Sequence, residues 1–137
     1  MRRFTTVLTV LLGLFPITFG LRFLLDPQGA AAGFGTDPWP TGTGDGYFAV
    51  KGIRDIFGAL SILVLMALGQ RRATGVVMAI AAIIPFTDMV VVLTHGGTVA
   101  TALGVHGLTG VVVLVSAYLL LRERVDIPQP APVGAHA

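Results

Sequence analysis

The chain contains no cysteine, few charged residues and no charge run, and each shortage removes a class of function. Without cysteine there is no disulfide, no thiolate nucleophile, no Cys-ligated zinc and no CxxC redox relay. Charged residues make up 12% against roughly 25% in ordinary globular proteins, too few for a water-soluble surface. The basic excess is small, nine Lys and Arg against seven Asp and Glu, and lifts the sequence pI to about 9.7. It is spread among chain segments rather than gathered in a patch, so nucleic acid is not an expected partner. Neither a metal nor a cofactor is expected.

What remains is apolar. Hydrophobic residues make up 54% of the 137 and the mean hydropathy is +0.85, which makes the lipid bilayer the solvent. Crossing ~30 Å of hydrocarbon takes ~20 apolar residues per helix, and four such helices use nearly the whole chain. The runs are Phe4 to Leu25, Tyr47 to Gly69, Ala73 to Thr94 and Val99 to Leu121. The expected fold class is all-α, an antiparallel up-down integral membrane four-helix bundle over residues 1–125. Gln70-Arg71-Arg72 and His95-Gly96-Gly97-Thr98 are short joints that force antiparallel neighbours. Residues 26–46, rich in Gly, Pro, Asp and Thr, read as the one substantial loop. Residues 126–137, rich in Pro and Ala, read as a disordered cytoplasmic tail.

Arginine sets the orientation. Arg2, Arg3, Arg71, Arg72, Arg122 and Arg124 fall on one side of a four-span bundle, whereas the long loop carries three Asp and no Lys or Arg. The expected location is the cell (inner) membrane, with both termini cytoplasmic. The opening MRRFTTVLTVLLGLFPITFG also has the form of a signal peptide, with Ala30-Ala31-Ala32 as small residues for a peptidase. Its apolar run is long for that role and Arg22 precedes the cleavage candidate, so it reads as a retained first span.

The segment GYFAVKGIRDIFGAL places Lys51, Arg54 and Asp55 inside the second span, at i, i+3 and i+4 on one helix face, with Gly58 continuing it. At 1.5 Å per residue, Lys51 lies ~6–9 Å and Arg54 and Asp55 ~11–14 Å from the outer end; Asp88 lies ~9 Å and His106 ~10 Å deep in their spans. Arg22 stands near the outer end of the first span, with Asp26 one turn beyond. An ionised side chain facing lipid costs several kcal/mol, so these groups are expected to turn inward and form one polar layer in the outer third. Arg22, Lys51 and Arg54 balance Asp26, Asp55 and Asp88, leaving His106 as the adjustable member. Asp88 and His106 have acid–base chemistry, and Arg54 and Lys51 suit an electrostatic clamp. The plain structural alternatives are that Asp88 pairs with Arg54 to fix helix register and that His106 clips two helices together. Pro16 and Pro85 are expected to kink their spans, and Trp39 to cap the outer mouth.

The pieces GLRFLLDPQGAAAGFG, VKGIRDIFGAL, PFTDMVVVL and VHGLTG, in this order and spacing, resemble the domain-of-unknown-function 4267 family of small four-span membrane proteins. The resemblance covers about residues 14 to 122. It implies a four-helix membrane bundle, with matching positions at Arg22, Lys51, Arg54, Asp55, Asp88 and His106, and implies no activity. The chain is also broadly similar to DoxX-like and vitamin-K-epoxide-reductase-like bundles, although the absence of cysteine excludes the reductase chemistry of the latter.

Three functions compete. The first is a pocket for a lipophilic small molecule, with acid–base catalysis of the isomerase or cyclase kind: Asp88 and His106 as the catalytic pair, and Arg54, Lys51, Asp55 and Arg22 as ligand-binding residues. The second is a proton-coupled transporter or transporter subunit, as a homodimer, because four spans alone rarely enclose a path open alternately to both sides. The third is a structural or accessory protein whose ion pairs set helix register. A retinal-type Schiff base at Lys51 is disfavoured by its depth and by Arg54 beside it.

Overall fold

The computed structural model describes residues 1–36 and 38–123. The tail at 126–137, Asp37 and Arg124 lie outside the described residues. Helix α1 spans Arg2–Leu25, α2 Pro27–Phe34, α3 Gly46–Ala67, α4 Arg71–Ala81, α5 Ile83–Thr94, α6 Val99–Thr101 and α7 Leu108–Arg122. A π-helical segment, Ala102–Gly107, joins α6 to α7, and a 3₁₀ turn, Gly42–Asp45, leads into α3. Among the described residues there is no strand.

Three stretches are long and apolar enough to cross a membrane: Arg2–Leu25, Arg71–Thr94 and Val99–Arg122. Together with the large apolar side chains exposed along every long helix, Leu11, Leu60, Val64, Ile80 and Leu114 among them, they mark a membrane protein. Helix α3 has 22 residues and reaches ~33 Å at 1.5 Å per residue; Lys51, Arg54 and Asp55 set its composition apart from the other three.

The bundle is built from two close pairs, α1 with α3 and α4 with α7. Lipid tails are as apolar as leucine, so helices associate in a bilayer through close backbone approach and packing rather than escape from water. Gly20 and Gly52 make that approach possible. A Cβ on Gly20 would stand 2.6 Å from the Gly52 carbonyl oxygen, and one on Gly52 would stand 2.7 Å from the Gly20 carbonyl oxygen. Gly75 faces Ala117, Leu120 and Leu121 in the same way across the second pair.

Two packed clusters close the ends. One holds Phe23, Ala30, Ala31 and Phe48, with Phe34 and Trp39 against them. The other holds Ile62, Met78, Ala117 and Leu120. Beside the latter, Thr9 and Ser116 are fully buried and share a 3.0 Å hydrogen bond.

The structure corrects the reading of residues 26–46 as loop alone. Asp26 caps α2, its carboxylate accepting from the Gly29 N–H at 3.0 Å, and Pro27 occupies the first turn, where its missing N–H costs nothing. Gly35, at φ 98°, ends the helix in the left-handed region. The third apolar run is two helices rather than one, interrupted at Ala82 just ahead of Pro85. Helix α1 continues through Pro16.

Candidate functional site

Between the two packed clusters lies a cavity of about 160 Å³. Helix α1 contributes Leu12, Phe15, Pro16 and Phe19, the i, i+3, i+4, i+7 stripe of one face. Helix α3 contributes Lys51, Arg54, Asp55, Gly58, Ala59 and Ile62, again one face. Met78, Ala81, Ile84, Pro85 and Asp88 come from α4 and α5, and Val105, His106, Thr109 and Val113 from the π-helical segment and α7. The charged groups gather toward the Phe34 end and the apolar ones toward Met78, so the cavity has a charged rim and a greasy floor.

Lys51 is the centre of the rim. Its ammonium lies 3.2 Å from Asp55 Oδ2 and 3.5 Å from Asp88 Oδ2. The first pair is the i, i+4 contact along α3, and the second crosses to α5. Two ring faces also receive it, Phe34 at 5.0 Å and Phe23 at 5.4 Å from Nζ to the ring centre, distances at which the ring quadrupole attracts a cation. A single lysine thus joins α1, α3, α5 and the end of α2.

His106 is buried in the π-helical segment, a wider turn that recurs at functional sites. Its Nε2 stands 2.9 Å from the Phe34 carbonyl oxygen and its ring lies 4.8 Å from the Phe34 ring. A carbonyl only accepts, so Nε2 carries the proton, and in the neutral imidazole Nδ1 keeps its lone pair. Pro16 and Pro85 have no N–H to offer the carbonyls one turn back, Leu12 and Ala81, and all four residues line the cavity.

Five of the expected site residues therefore meet at one cavity: Lys51, Arg54, Asp55, Asp88 and His106. Their partners differ from the sequence expectation. Asp88 bonds Lys51 rather than Arg54, because Lys51 points across to α5 while Arg54 sits at the exposed edge of the α3 face. Asp88 and His106 share no hydrogen bond; each is held by a different group. Arg22 does not line the cavity. It is exposed and donates to the Gly29 carbonyl at 3.3 Å, while Asp26 is occupied as the α2 cap. The balance of three cations and three carboxylates thus reduces to Lys51 and Arg54 with Asp55 and Asp88. His95, exposed at the end of α5, bonds the Val91 carbonyl through Nδ1 at 3.0 Å.

A second polar cluster at the opposite end was not expected. Arg71 grips Glu123 with two parallel hydrogen bonds, from Nε to Oε2 and, at 2.6 Å, from Nη2 to Oε1. Its Nη1 reaches Thr6 Oγ1 at 2.9 Å. These hydrogen bonds hold the Glu123 carboxyl below its ordinary 4.5. In the sequence Arg71 is an orientation signal and part of a short joint, and nothing in the spacing couples positions 71 and 123. Among the described residues no group of His, Asp and Glu is arranged to hold a metal ion.

No curated protein and no solved structure matches the chain. The profile of the family described as "Domain of unknown function (DUF4267)" matches residues 13–120, which include α2, the charged rim, the π-helical segment and most of α7. The protein, a membrane protein by its apolar helices, belongs to this family.

Proposed function

We propose that the cavity binds a lipophilic small molecule and that its rim performs acid–base chemistry on it, of the kind an isomerase or cyclase needs. The observation that carries this reading is the placement of five ionisable side chains on one end of an otherwise apolar cavity. A register-setting ion pair needs no cavity beneath it. The protein is read as four spans in the inner membrane, α3 being the fourth, with both termini cytoplasmic. Turning Lys51 and Asp55 toward the cavity spares α3 the cost of charges in lipid, and Arg2, Arg3, Arg71, Arg72 and Arg122 then share the cytoplasmic side.

In this reading the Nδ1 lone pair of His106 takes a proton from the ligand and Asp88 serves as its acid–base partner. Lys51 and Arg54 stabilise negative charge developing on a ligand oxygen, where a fixed cation in a dry site acts more strongly than in water. Transport is the weaker alternative. The end opposite the rim is packed by Met78, the Thr9 and Ser116 hydrogen bond and the Arg71 and Glu123 pair, so a through path would require all three layers to part.

The test compares lipophilic metabolites, by untargeted mass spectrometry, in cells and medium of hosts expressing the wild type or membrane-inserted Asp88→Ala and His106→Asn proteins. A precursor and product whose ratio depends on both residues is the expected result. One unchanged compound redistributed between cells and medium would favour transport, and identical profiles would sink the catalytic reading.

A further inference from the structure

The rim is unevenly satisfied. Lys51 has two carboxylates and two ring faces. Asp55 and Asp88 have Lys51, and His106 has the Phe34 carbonyl. Arg54, on the same cavity wall, has no hydrogen bond or ion pair among the described residues. A guanidinium offers five N–H donors in a planar fork that matches an oxyanion through two parallel bonds, and its charge is retained at any working pH. The Arg71 fork at the other end of the bundle shows that pairing made within the chain.

The wall beside Arg54 is also loosely packed on its α5 side. Helix α3 packs along α1 but has no comparable packing against α5; the Lys51 to Asp88 bridge is the polar bond across that seam. The cavity side of α3 carries Gly58, where an added Cβ would meet nothing within 4 Å. A chain-shaped molecule could pass through this seam from the bilayer, lie on Gly58 and Ile62, and leave its head at Arg54.

We infer that the ligand is a single-chain lipophilic carboxylate, its carboxylate paired with Arg54 and its hydrocarbon chain running down the apolar floor toward Met78. This rests on the cavity being a ligand site and goes further by naming the ligand's head group. A monoester phosphate on the same chain presents the same oxyanion fork, so the experiment separates the two.

The full-length protein is reconstituted in nanodiscs and its binding of dodecanoate, dodecyl phosphate and dodecanol is measured by native mass spectrometry, for the wild type, Arg54→Gln, Arg54→Lys and Gly58→Leu. Dodecanoate is expected to bind at least about tenfold more tightly than dodecanol, the scale of one charge-assisted contact. That preference is expected to vanish in Arg54→Gln and survive in part in Arg54→Lys. Gly58→Leu should block all three probes by filling the floor. Equal binding of dodecanoate and dodecanol, still blocked by Gly58→Leu, overturns the carboxylate inference and leaves the pocket standing. An Arg54-dependent preference for dodecyl phosphate over dodecanoate overturns the carboxylate in favour of a phosphate head. Binding untouched by Gly58→Leu, or no binding of any probe, overturns both the inference and the pocket.

Discussion

At the Arg71 end of the bundle a guanidinium and a carboxylate satisfy each other through two parallel bonds, a hydroxyl takes a third, and packed side chains close the space behind them. At the Lys51 end one ammonium is divided between two carboxylates, Arg54 has no hydrogen bond or ion pair among the described residues, and the space behind them is a cavity. Both ends pair cations with carboxylates, and the difference lies in what each end leaves over. A fully paired cluster is complete within the chain and can only hold helices together. One with donors to spare beside an apolar cavity is what the proposed ligand site requires.

Five substitutions sharpen or break that contrast. The largest effect is expected where the α1 and α3 backbones touch: Gly52→Ala must push a carbonyl away from a 2.7 Å approach. It should cost up to about 3 kcal/mol, read as a loss of thermal stability in detergent, and should also disturb Lys51 next door. Arg71→Ala is next, with an expected loss of about 1.5–3 kcal/mol for the hydrogen bonds to a charged partner. The effect of that pair depends on pH with a definite sign. The Glu123 carboxyl is held below its ordinary 4.5, so its contribution is full above that value and is lost as the pH falls through the depressed one. The stability difference between wild type and Glu123→Gln should therefore shrink on acidification.

At the open end the same measurement should show less. Asp88→Asn leaves Lys51 its Asp55 partner, so about 1 kcal/mol or less is expected, together with a large loss of turnover or ligand binding. An equally large stability loss at both ends, with function intact, would make the Lys51 cluster a second structural clamp. Gly58→Ala is the smallest change: with open space around the new methyl and a better helix former in place, it should be neutral or gain up to about 1 kcal/mol.

Much of this was legible in the sequence because the bilayer imposes a simple demand. Long apolar runs must be helices, so α1, the α4 and α5 stretch and α7 fall in the runs of high hydropathy, and charges at i, i+3 and i+4 on α3 must share a face, which is the face that lines the cavity. The details that escaped are those decided by geometry between elements. Asp26-Pro27 is a helix-start signal, but the glycines and prolines around it pointed to turns; α2 survives because Ala30 and Ala31 pack on Phe23 and Phe48. The π-helical turn at His106 leaves no periodicity to read, only the glycines on either side. The sequence pairs Asp88 with Arg54, whereas Lys51, one turn away on the same face, takes it in the structure, because that choice depends on how α5 approaches.

The central claim is that the cavity beneath Lys51 is an occupied site in the membrane. Its most direct test is native mass spectrometry of the wild type and Gly58→Leu proteins, each extracted gently from the membranes in which it was made. A small lipophilic molecule is expected to be released from the wild type and to be absent from the Gly58→Leu protein, with both equally folded. The same molecule at the same occupancy in both, or none in either, would contradict it.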